Sequence, residues 1–220
     1  MEGILVVNKP NGITSHDVVA KVRKKFKIKR VGHAGTLDPL ATGVLIVLLG
    51  RSTKLFDQFV GFDKAYRATL ILGQKTDTAD TQGKVVAESS YAHVTKKQVE
   101  DVFKTFTGAL EQLPPMYSAV KIKGKKLYEL ARQGIEVKRE PRQVHVYRLE
   151  LESMVGREVR FYLECSKGTY VRQLADDIGD VLGCGACISK IERTKVGSYS
   201  IDESVKIEEL NESHIRSWKP

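Results

Sequence analysis

The sequence GHAGTLDPLATGVLIVLLG, residues 32–50, joins a glycine-rich turn to an uninterrupted apolar run. The run GVLIVLLG predicts a fully buried strand. Glycine-rich phosphate loops follow a strand and open a helix, whereas this turn precedes the strand and its one acidic residue is Asp38. Because a carboxylate repels phosphate, the turn is not interpreted as a phosphate cradle.

Outward from this strand, the hydrophobic pattern predicts further strands and helices on both sides. Strands are predicted over GILVVNKP, KAYRATLILG, RQVHVYRLEL, EVRFYLECS and CISKIERTKVG, which would be the final strand. Helices are predicted over TSHDVVAKVRKKF, capped by Thr14 or Ser15, over residues 95–106, and over TYVRQLADDIGDVLG, capped by Thr169. This order predicts an α+β fold around a central mixed, mostly antiparallel sheet flanked by helices.

The charge balance indicates a polyanionic partner. The 220 residues include 36 Lys and Arg against 27 Asp and Glu, which gives a net charge of +9 and a pI near 9.4. Nucleic acid is the first expectation and an anionic membrane the second, while the alternative is that the charge only maintains solubility. Since no apolar run is long enough for a membrane-spanning helix and no signal peptide follows Met1, a cytoplasmic protein is expected.

The sequence predicts neither a metal site nor a cofactor. Cys184 and Cys187 have the C-x-x-C spacing of zinc or redox sites, but no second ligand pair accompanies them, so packing thiols are expected. The segment DTADTQGKVVAE has Ala79 and Gln82 where a calcium loop needs an oxygen ligand and a glycine. Dinucleotide and nucleophile-elbow motifs are missing as well.

Residues 113–142 interrupt the pattern of strands and helices with a basic stretch. This segment begins with two prolines and carries four lysines around Gly124: Lys121, Lys123, Lys125 and Lys126. One interpretation is a solvated loop with a short helix over KKLYELARQ. The other is a mobile arm that grips a nucleic-acid backbone while its tyrosines pack on bases or sugars. Basic charge, aromatic residues and a glycine hinge favour the second interpretation.

Three polar residues are candidates for chemistry. Asp38 precedes Pro39 ahead of the buried strand, Arg172 follows GTY at the start of a helix, and Tyr66 lies on an otherwise apolar strand face. Each has an ordinary explanation when taken alone: a turn cap, a surface charge and a core side chain.

Five blocks of the sequence resemble, in order and at matching spacings, the TruB type of bacterial tRNA pseudouridine-55 synthases. The blocks are GILVVNKPNGITSHDVV, GHAGTLDPLATGVL, KAYRATLILGQKTDTADTQG, PPMYSAVKIKGKKLYELARQG and CSKGTYVRQLADDIG.

The resemblance implies a pseudouridine synthase fold in one catalytic domain, residues 1–220, with residues 113–142 as a thumb-like RNA-binding insertion. It implies isomerisation of uridine to pseudouridine at position 55 in the tRNA T-loop, without metal or cofactor. The expected partner is tRNA, through its T-arm and T-loop. The enzyme would be a monomer that needs no protein partner and no membrane.

The resemblance also assigns roles to individual residues. The catalytic carboxylate of the family falls on Asp38, which could attack the ribose, attack the pyrimidine ring, or act as a base and charge stabiliser. The GTYVR block implies that Arg172 pairs with Asp38. Lys9, in NKP, is expected to be a structural support for the active-site loop.

The remaining site residues are implied to contact the substrate. Tyr66 and Tyr170 would lie against the flipped uracil, with Tyr66 also a candidate for proton transfer. Ile191 stands where the family usually has a leucine that packs on the base, and His33 would fill the space that the flipped uridine vacates. The four lysines around Gly124 would contact the RNA backbone.

Two departures from the family pattern carry expectations. Glu192 stands where an arginine is common, which removes a positive charge near the expected RNA side. Relatives usually continue into a small C-terminal RNA-binding domain, which is expected to be absent from a chain that ends at Pro220. Weaker tRNA binding with intact chemistry would follow.

Two other functions are compatible with parts of the sequence. One is a pure RNA-binding or tRNA-folding module, which would not need the carboxylate of Asp38. The other is a guide-RNA-dependent synthase subunit, which would not need its own basic arm.

Overall fold

The computed structural model describes residues 1–118, 120–122 and 124–218. The strands are β1 (Gly3–Lys9), β2 (Val31–Ala34), β3 (Thr42–Leu49), β4 (Lys64–Leu72), β5 (Gln74–Thr76), β6 (Val85–Glu88), β7 (Gly108–Gln112), β8 (Lys121–Ile122), β9 (Lys125–Lys126), β10 (Arg142–Val155), β11 (Glu158–Cys165), β12 (Ala186–Val196), β13 (Tyr199–Ser200) and β14 (Val205–Lys206). The α-helices are α1 (Ser15–Phe26), α2 (Phe56–Val60), α3 (Lys96–Thr105), α4 (Leu127–Ala131) and α5 (Val171–Val181).

A mixed sheet dominates the described part of the chain, which confirms the predicted α+β class. Its strands follow the order β14-β1-β3-β12-β4-β11-β10-β7, with β2 beside β3 and β13 beside β12. The pairs β1/β14 and β3/β12 are parallel, whereas β1/β3, β2/β3, β7/β10, β10/β11 and β12/β13 are antiparallel.

The chain divides into two compact units, one formed by Met1–Arg67 with Ile191–Pro220 and the other by Ala68–Lys190. In the first unit, β1 and β3 are buried on both faces, which explains their continuous apolar sequences. One face of β3 packs with α1 through Val18, Val19 and Val22, and the other packs with Phe59 of α2. The predicted fully buried strand is therefore confirmed.

In the second unit, β10 and β11 form a long antiparallel pair beside helix α3, which also contacts α5. Burial alternates along much of both strands, as expected where one face of a sheet meets solvent. The ring of Phe103 on α3 meets Phe161 of β11 edge-on, with the ring centroids 5.7 Å apart. The spacing of apolar residues about one helical turn apart predicts that Phe103 lies on the inward face of α3, and the burial of Phe103 confirms this prediction.

Most of the predicted elements are confirmed, and two details are wrong. The N-cap of α5 is Tyr170, not Thr169, because the Thr169 hydroxyl donates instead to the Ser166 carbonyl. Strand β12 is the last long strand, but the short strands β13 and β14 follow it. Short elements such as β2 and β7 were not predicted, since they carry too few residues to show a period.

Candidate active site

Asp38 lies in a tight turn between β2 and β3. The Ala41 amide donates to the Asp38 carbonyl at 3.0 Å, and Pro39 occupies the second position of the turn, where its fixed φ is suitable. The Asp38 side chain is half-buried, while Leu37 and Leu40 on either side of the turn are buried. Burial of these two leucines fixes the direction in which the loop presents the carboxylate. We refer to residues 35–41 as the Asp38 loop.

The start of α1 anchors the Asp38 loop. The Ser15 hydroxyl is buried, donates to the Leu37 carbonyl at 3.0 Å and accepts from the Leu37 amide at 2.9 Å. The Gly12 amide donates to the Pro39 carbonyl at 2.9 Å. Backbone groups on both sides of Asp38 are thereby satisfied without water.

Lys9 lies beneath the same loop with its side chain completely buried. Its ammonium donates to the carbonyls of Ile13 at 2.6 Å, Pro10 at 2.9 Å and Pro39 at 3.4 Å. Burial lowers the pKa of Lys9 to about 8, an effect that attraction to Asp38 opposes. Its predicted role as a structural support of the loop agrees with these bonds, and the role itself stays a prediction.

Arg193 is a second buried cation at the loop, and sequence reasoning missed it. Its Nε donates to the Val44 carbonyl at 2.8 Å, and its terminal nitrogens donate to the carbonyls of Gly35 at 3.0 Å and Thr36 at 3.5 Å. The guanidinium also hydrogen-bonds the side chain of Tyr66 and is attracted to Asp38. Burial lowers the pKa of Arg193, and its contacts with Tyr66 and Asp38 oppose that change.

A glycine makes the position of Arg193 possible. Arg193 on β12 pairs with Gly43 on β3, and a Cβ atom at Gly43 would lie 2.3 Å from the Arg193 carbonyl oxygen. Gly43 also has a φ of +96°, which side-chain-bearing residues rarely adopt. The glycine that follows LAT in the sequence was the one available signal for a close strand approach at this point.

His33 lies at the end of β2 next to His16 of α1. The two rings meet edge-on with centroids 5.1 Å apart. Burial lowers the pKa of His33 to about 4, and repulsion from His16 and Arg193 adds to the effect, so the ring is neutral at physiological pH. The buried Nδ1 of His33 has no hydrogen-bond partner within the described chain.

In the second unit, Arg172 and Tyr170 lie at the start of α5. The buried guanidinium of Arg172 donates to the carbonyls of Thr78 at 2.6 Å and Tyr117 at 2.7 Å, and its Nε lies 3.7 Å from the Asp80 carboxylate. The buried side chain of Gln112 accepts from the Tyr170 amide at 2.7 Å and donates to its carbonyl at 3.1 Å. The predicted pairing of Arg172 with Asp38 stays a prediction.

Comparison with known proteins assigns the chain to a family. The model of the TruB family pseudouridylate synthase N-terminal domain matches residues 23–171, and that of the tRNA pseudouridylate synthase B C-terminal domain matches residues 172–218. The chain is 48% identical over 218 residues to tRNA pseudouridine synthase B of Clostridium tetani, covering 99% of this chain and 75% of that protein. The chain belongs to the TruB family of pseudouridylate synthases.

Two further comparisons agree with this assignment. tRNA pseudouridine synthase B of Geobacter sulfurreducens is 49% identical over 212 residues, which are 96% of this chain and 70% of that protein. The crystal structure of a Cbf5-Nop10-Gar1 complex contains a chain that matches this one with a TM-score of 0.75 and 31% identity. The match covers 94% of this chain and 53% of that chain, so this chain spans about half of its length. The predicted pseudouridine synthase fold is confirmed.

The remaining predicted site residues of this TruB-family chain lie on both units. Ile191 is partly buried and packs against the core that contains β1, β3 and α1. In the predicted arm, β8 and β9 form a hairpin around Gly124, with Lys121 on β8 and Lys125 and Lys126 on β9. Lys125 is exposed, and Lys123 lies outside the described residues. The predicted RNA contacts of these lysines and the predicted absence of a further small C-terminal domain stay predictions.

The three cysteines of the described chain are buried thiols. Cys165, Cys184 and Cys187 are free and buried, and burial raises the pKa of the Cys187 thiol to about 11. Among the described residues, no group of three or more His, Cys, Asp or Glu could hold a metal ion. No described helix is both long and apolar enough to cross a membrane.

Proposed function

We propose that the protein isomerises uridine to pseudouridine at position 55 in the T-loop of tRNA, with Asp38 as the catalytic carboxylate. The single observation that carries the proposal is the Asp38 loop of this TruB-family chain. A half-buried carboxylate stands on a turn that Ser15 and Lys9 hold by direct hydrogen bonds, with the buried guanidinium of Arg193 below it. The proposed substrate is found in the cytoplasm, where we expect the enzyme to act.

The reaction requires little beyond a positioned carboxylate. The glycosidic N–C bond of uridine breaks, the uracil turns, and a C–C bond forms in its place, while the C5 proton is released and a ring nitrogen is protonated. The change is redox-neutral. Asp38 either attacks the ribose or the pyrimidine ring, or acts as a base and stabilises charge at the sugar. Lys9 and Arg193 balance the carboxylate charge inside the protein, which lets Asp38 act in a partly desolvated site.

The other site residues are proposed to hold the flipped nucleotide. Removing a base from its stack costs roughly a few kcal/mol of stacking energy. To offset this cost, the protein has to contact the extruded base and fill the gap that it leaves in the RNA. Tyr66, Tyr170 and Ile191 would contact the uracil. The neutral ring of His33 is suited to the vacated space, because it carries no charge that the RNA stack would have to solvate. Arg172 would pair with Asp38.

The test is the release of tritium from unmodified tRNA that is labelled at C5 of uridine. Wild-type protein should release tritium that maps to the T-loop uridine, and Asp38→Asn should abolish release while tRNA binding stays nearly unchanged. Asp57→Asn is the matched control, because Asp57 is an exposed aspartate on α2. Turnover near the wild-type rate in Asp38→Asn would disprove the proposed role of the carboxylate.

We also infer that the enzyme acts without a protein partner or a guide RNA. The similar solved chain comes from a complex with Nop10 and Gar1. The lysine-bearing hairpin β8–β9 supports independent action, since a stand-alone enzyme needs its own contacts with the substrate. Tritium release by the purified chain alone would support this inference, and a requirement for added protein or RNA would contradict it.

A further inference from the structure

Residues 21–30, KVRKKFKIKR, form a strongly basic surface that the proposed chemistry does not use. Seven of the 36 Lys and Arg residues of the chain lie in these ten positions without a single Asp or Glu, which concentrates much of the net charge in one place. All seven cations are exposed: Lys21, Arg23, Lys24, Lys25, Lys27, Lys29 and Arg30. We call residues 21–30 the basic segment.

The basic segment is anchored firmly to the first unit. Val22 is completely buried, and Phe26 and Ile28 pack against the core formed by β1, β3 and α1. The Lys25 ammonium donates to the carbonyls of Ile207 and Glu208 at 3.2 and 2.5 Å. The cations are therefore presented from a fixed surface and not from a loose tail.

The charge of the basic segment is largely uncompensated within the described chain, where Asp17 attracts Lys21 without forming a salt bridge. On α3, by contrast, Lys96 pairs with Glu100, and Lys97 and Lys104 pair with Asp101. Within the described chain, none of the seven cations of the basic segment takes part in a salt bridge. A cluster of uncompensated charge of one sign attracts a polyanion and raises its local concentration.

Helix stability does not account for the basic segment. Arg23, Lys24 and Lys25 lie in the last turn of α1, where cations interact favourably with the helix dipole. Lys29 and Arg30, however, follow the helix end. Lys27 is the C-cap with φ 54° and ψ 36°, a left-handed conformation in which glycine is strongly preferred. A lysine at this position keeps a charge where the backbone favours a residue without a side chain.

The basic segment lies on the same helix that anchors the Asp38 loop. Ser15, the first residue of α1, holds Leu37, and the His16 ring meets the His33 ring edge-on. The 12 residues of α1 span about 18 Å. An RNA whose target base enters beside Asp38 therefore needs to extend only about 18 Å along α1 for its phosphates to reach the basic segment.

We propose that the basic segment binds the sugar–phosphate backbone of the RNA substrate at a distance from the reacting nucleotide. Lysines that neutralise phosphates release counterions, so the contact contributes affinity and salt dependence and carries no sequence information. The proposal rests on the proposed function for the identity of the polyanion.

The test compares two triple variants with the same change in net charge. Lys24→Gln, Lys27→Gln and Lys29→Gln are combined in one protein, since none of these side chains takes part in a described hydrogen bond or salt bridge. Lys96→Gln, Lys97→Gln and Lys104→Gln are combined in the control, where each lysine pairs with an acid of its own helix. Binding of an unmodified tRNA transcript is measured over a series of KCl concentrations.

The slope of log affinity against log KCl concentration should become shallower by about 2 to 3 in the first triple variant, and affinity at low salt should fall by about tenfold or more. The control should keep the wild-type slope. Equal losses in both variants would show an effect of net charge alone and would overturn the proposal, as would an unchanged slope in the first variant.

Lys27→Gly separates backbone conformation from charge. Glycine suits the left-handed conformation, so the Tm should rise, while the salt slope should become shallower by about 1. A higher Tm with an unchanged slope would contradict a phosphate contact at Lys27.

Tritium release by the wild type distinguishes the two proposals. No release together with the expected slopes would overturn only the proposed isomerase activity, whereas release together with unchanged slopes would overturn only the proposed role of the basic segment.

Discussion

Arg193 holds both sides of the Asp38 loop and contacts Tyr66 at the same time. Its three backbone acceptors belong to the residues on either side of the turn, Gly35, Thr36 and Val44. Arg193→Met should reduce stability by about 3 kcal/mol, since buried carbonyls lose their donors. Turnover should fall by about a hundredfold, because the loop and Tyr66 are no longer held in register.

Arg193→Lys tests whether charge alone is sufficient. One ammonium cannot reproduce the fork of a guanidinium, so this variant should recover only part of kcat and leave KM almost unchanged. Urea unfolding and tritium release are the two measurements. A folded Arg193→Met protein with nearly normal kcat would show that Arg193 is only a core residue.

The sequence indicated Asp38 but not Arg193, for a physical reason. Asp38 is locally visible as the single acidic residue in a glycine-rich turn, and the resemblance to the TruB type assigned it a catalytic role. Arg193 looks like any other cation in a charged strand. Its importance arises from the parallel pairing of Arg193 with Gly43, which joins residues 150 positions apart in the chain. Apart from Gly43, which signals a close approach without naming the partner, hydrophobic period and local motifs carry no record of such a pairing.

At the scale of elements, α1 positions the Asp38 loop from its first turn. Thr14 and Ser15 are neighbours with different tasks, because the Thr14 hydroxyl accepts from the Asp17 amide and caps the helix, whereas Ser15 bonds Leu37 in the loop. Ser15→Ala should lower stability by about 2 kcal/mol and reduce kcat.

Thr14→Ala is the matched control for this prediction. It should cost about 1 kcal/mol through loss of the cap and leave kcat unchanged, because the Thr14 side chain does not bond the loop. Thermal unfolding and tritium release give the two readings. If both variants reduced kcat equally, general loosening of α1 would explain the effect in place of the Ser15–Leu37 bonds.

Elements with a clear hydrophobic period could be predicted, and short elements could not. Helices α1 and α3 have Thr caps and regular apolar spacing, so their bounds were found closely. Strand β2 has only four residues, one of them a glycine, and it is fixed by pairing with β3. The N-cap of α5 was misplaced by one residue because the Thr169 hydroxyl had a competing carbonyl at Ser166.

At the scale of the whole molecule, the partly buried His33 ties stability to pH. The unfolded chain protonates this histidine near pH 6.5, whereas in the folded protein its pKa is about 4. The unfolded state therefore binds more protons between these values. The contribution of the neutral ring to the free energy of unfolding is complete above pH 6.5 and is lost as the pH falls to 4. This loss amounts to ~3 kcal/mol at most.

Urea unfolding at a series of pH values between 4 and 7 measures this dependence. His33→Gln should flatten the slope of stability against pH in that window, since glutamine does not titrate. His145→Gln, at an exposed histidine of β10, should leave the slope as in the wild type. A His33→Gln protein with the wild-type slope would assign the acid sensitivity to other groups.

The pairing of β3 has a consequence for heat inactivation. One edge of β3 is bonded to β1 along most of its length, and the other edge is shared by β12 at Thr42 and Gly43 and by β2 at Ile46–Leu49. A strand enclosed in this way cannot detach by fraying. Since the Asp38 loop leads directly into β3, its geometry persists on warming until the surrounding unit melts as a whole. The geometry of the Asp38 loop and the folded state of that unit should then disappear at one temperature, without an earlier stage in which the unit is folded and the loop is displaced.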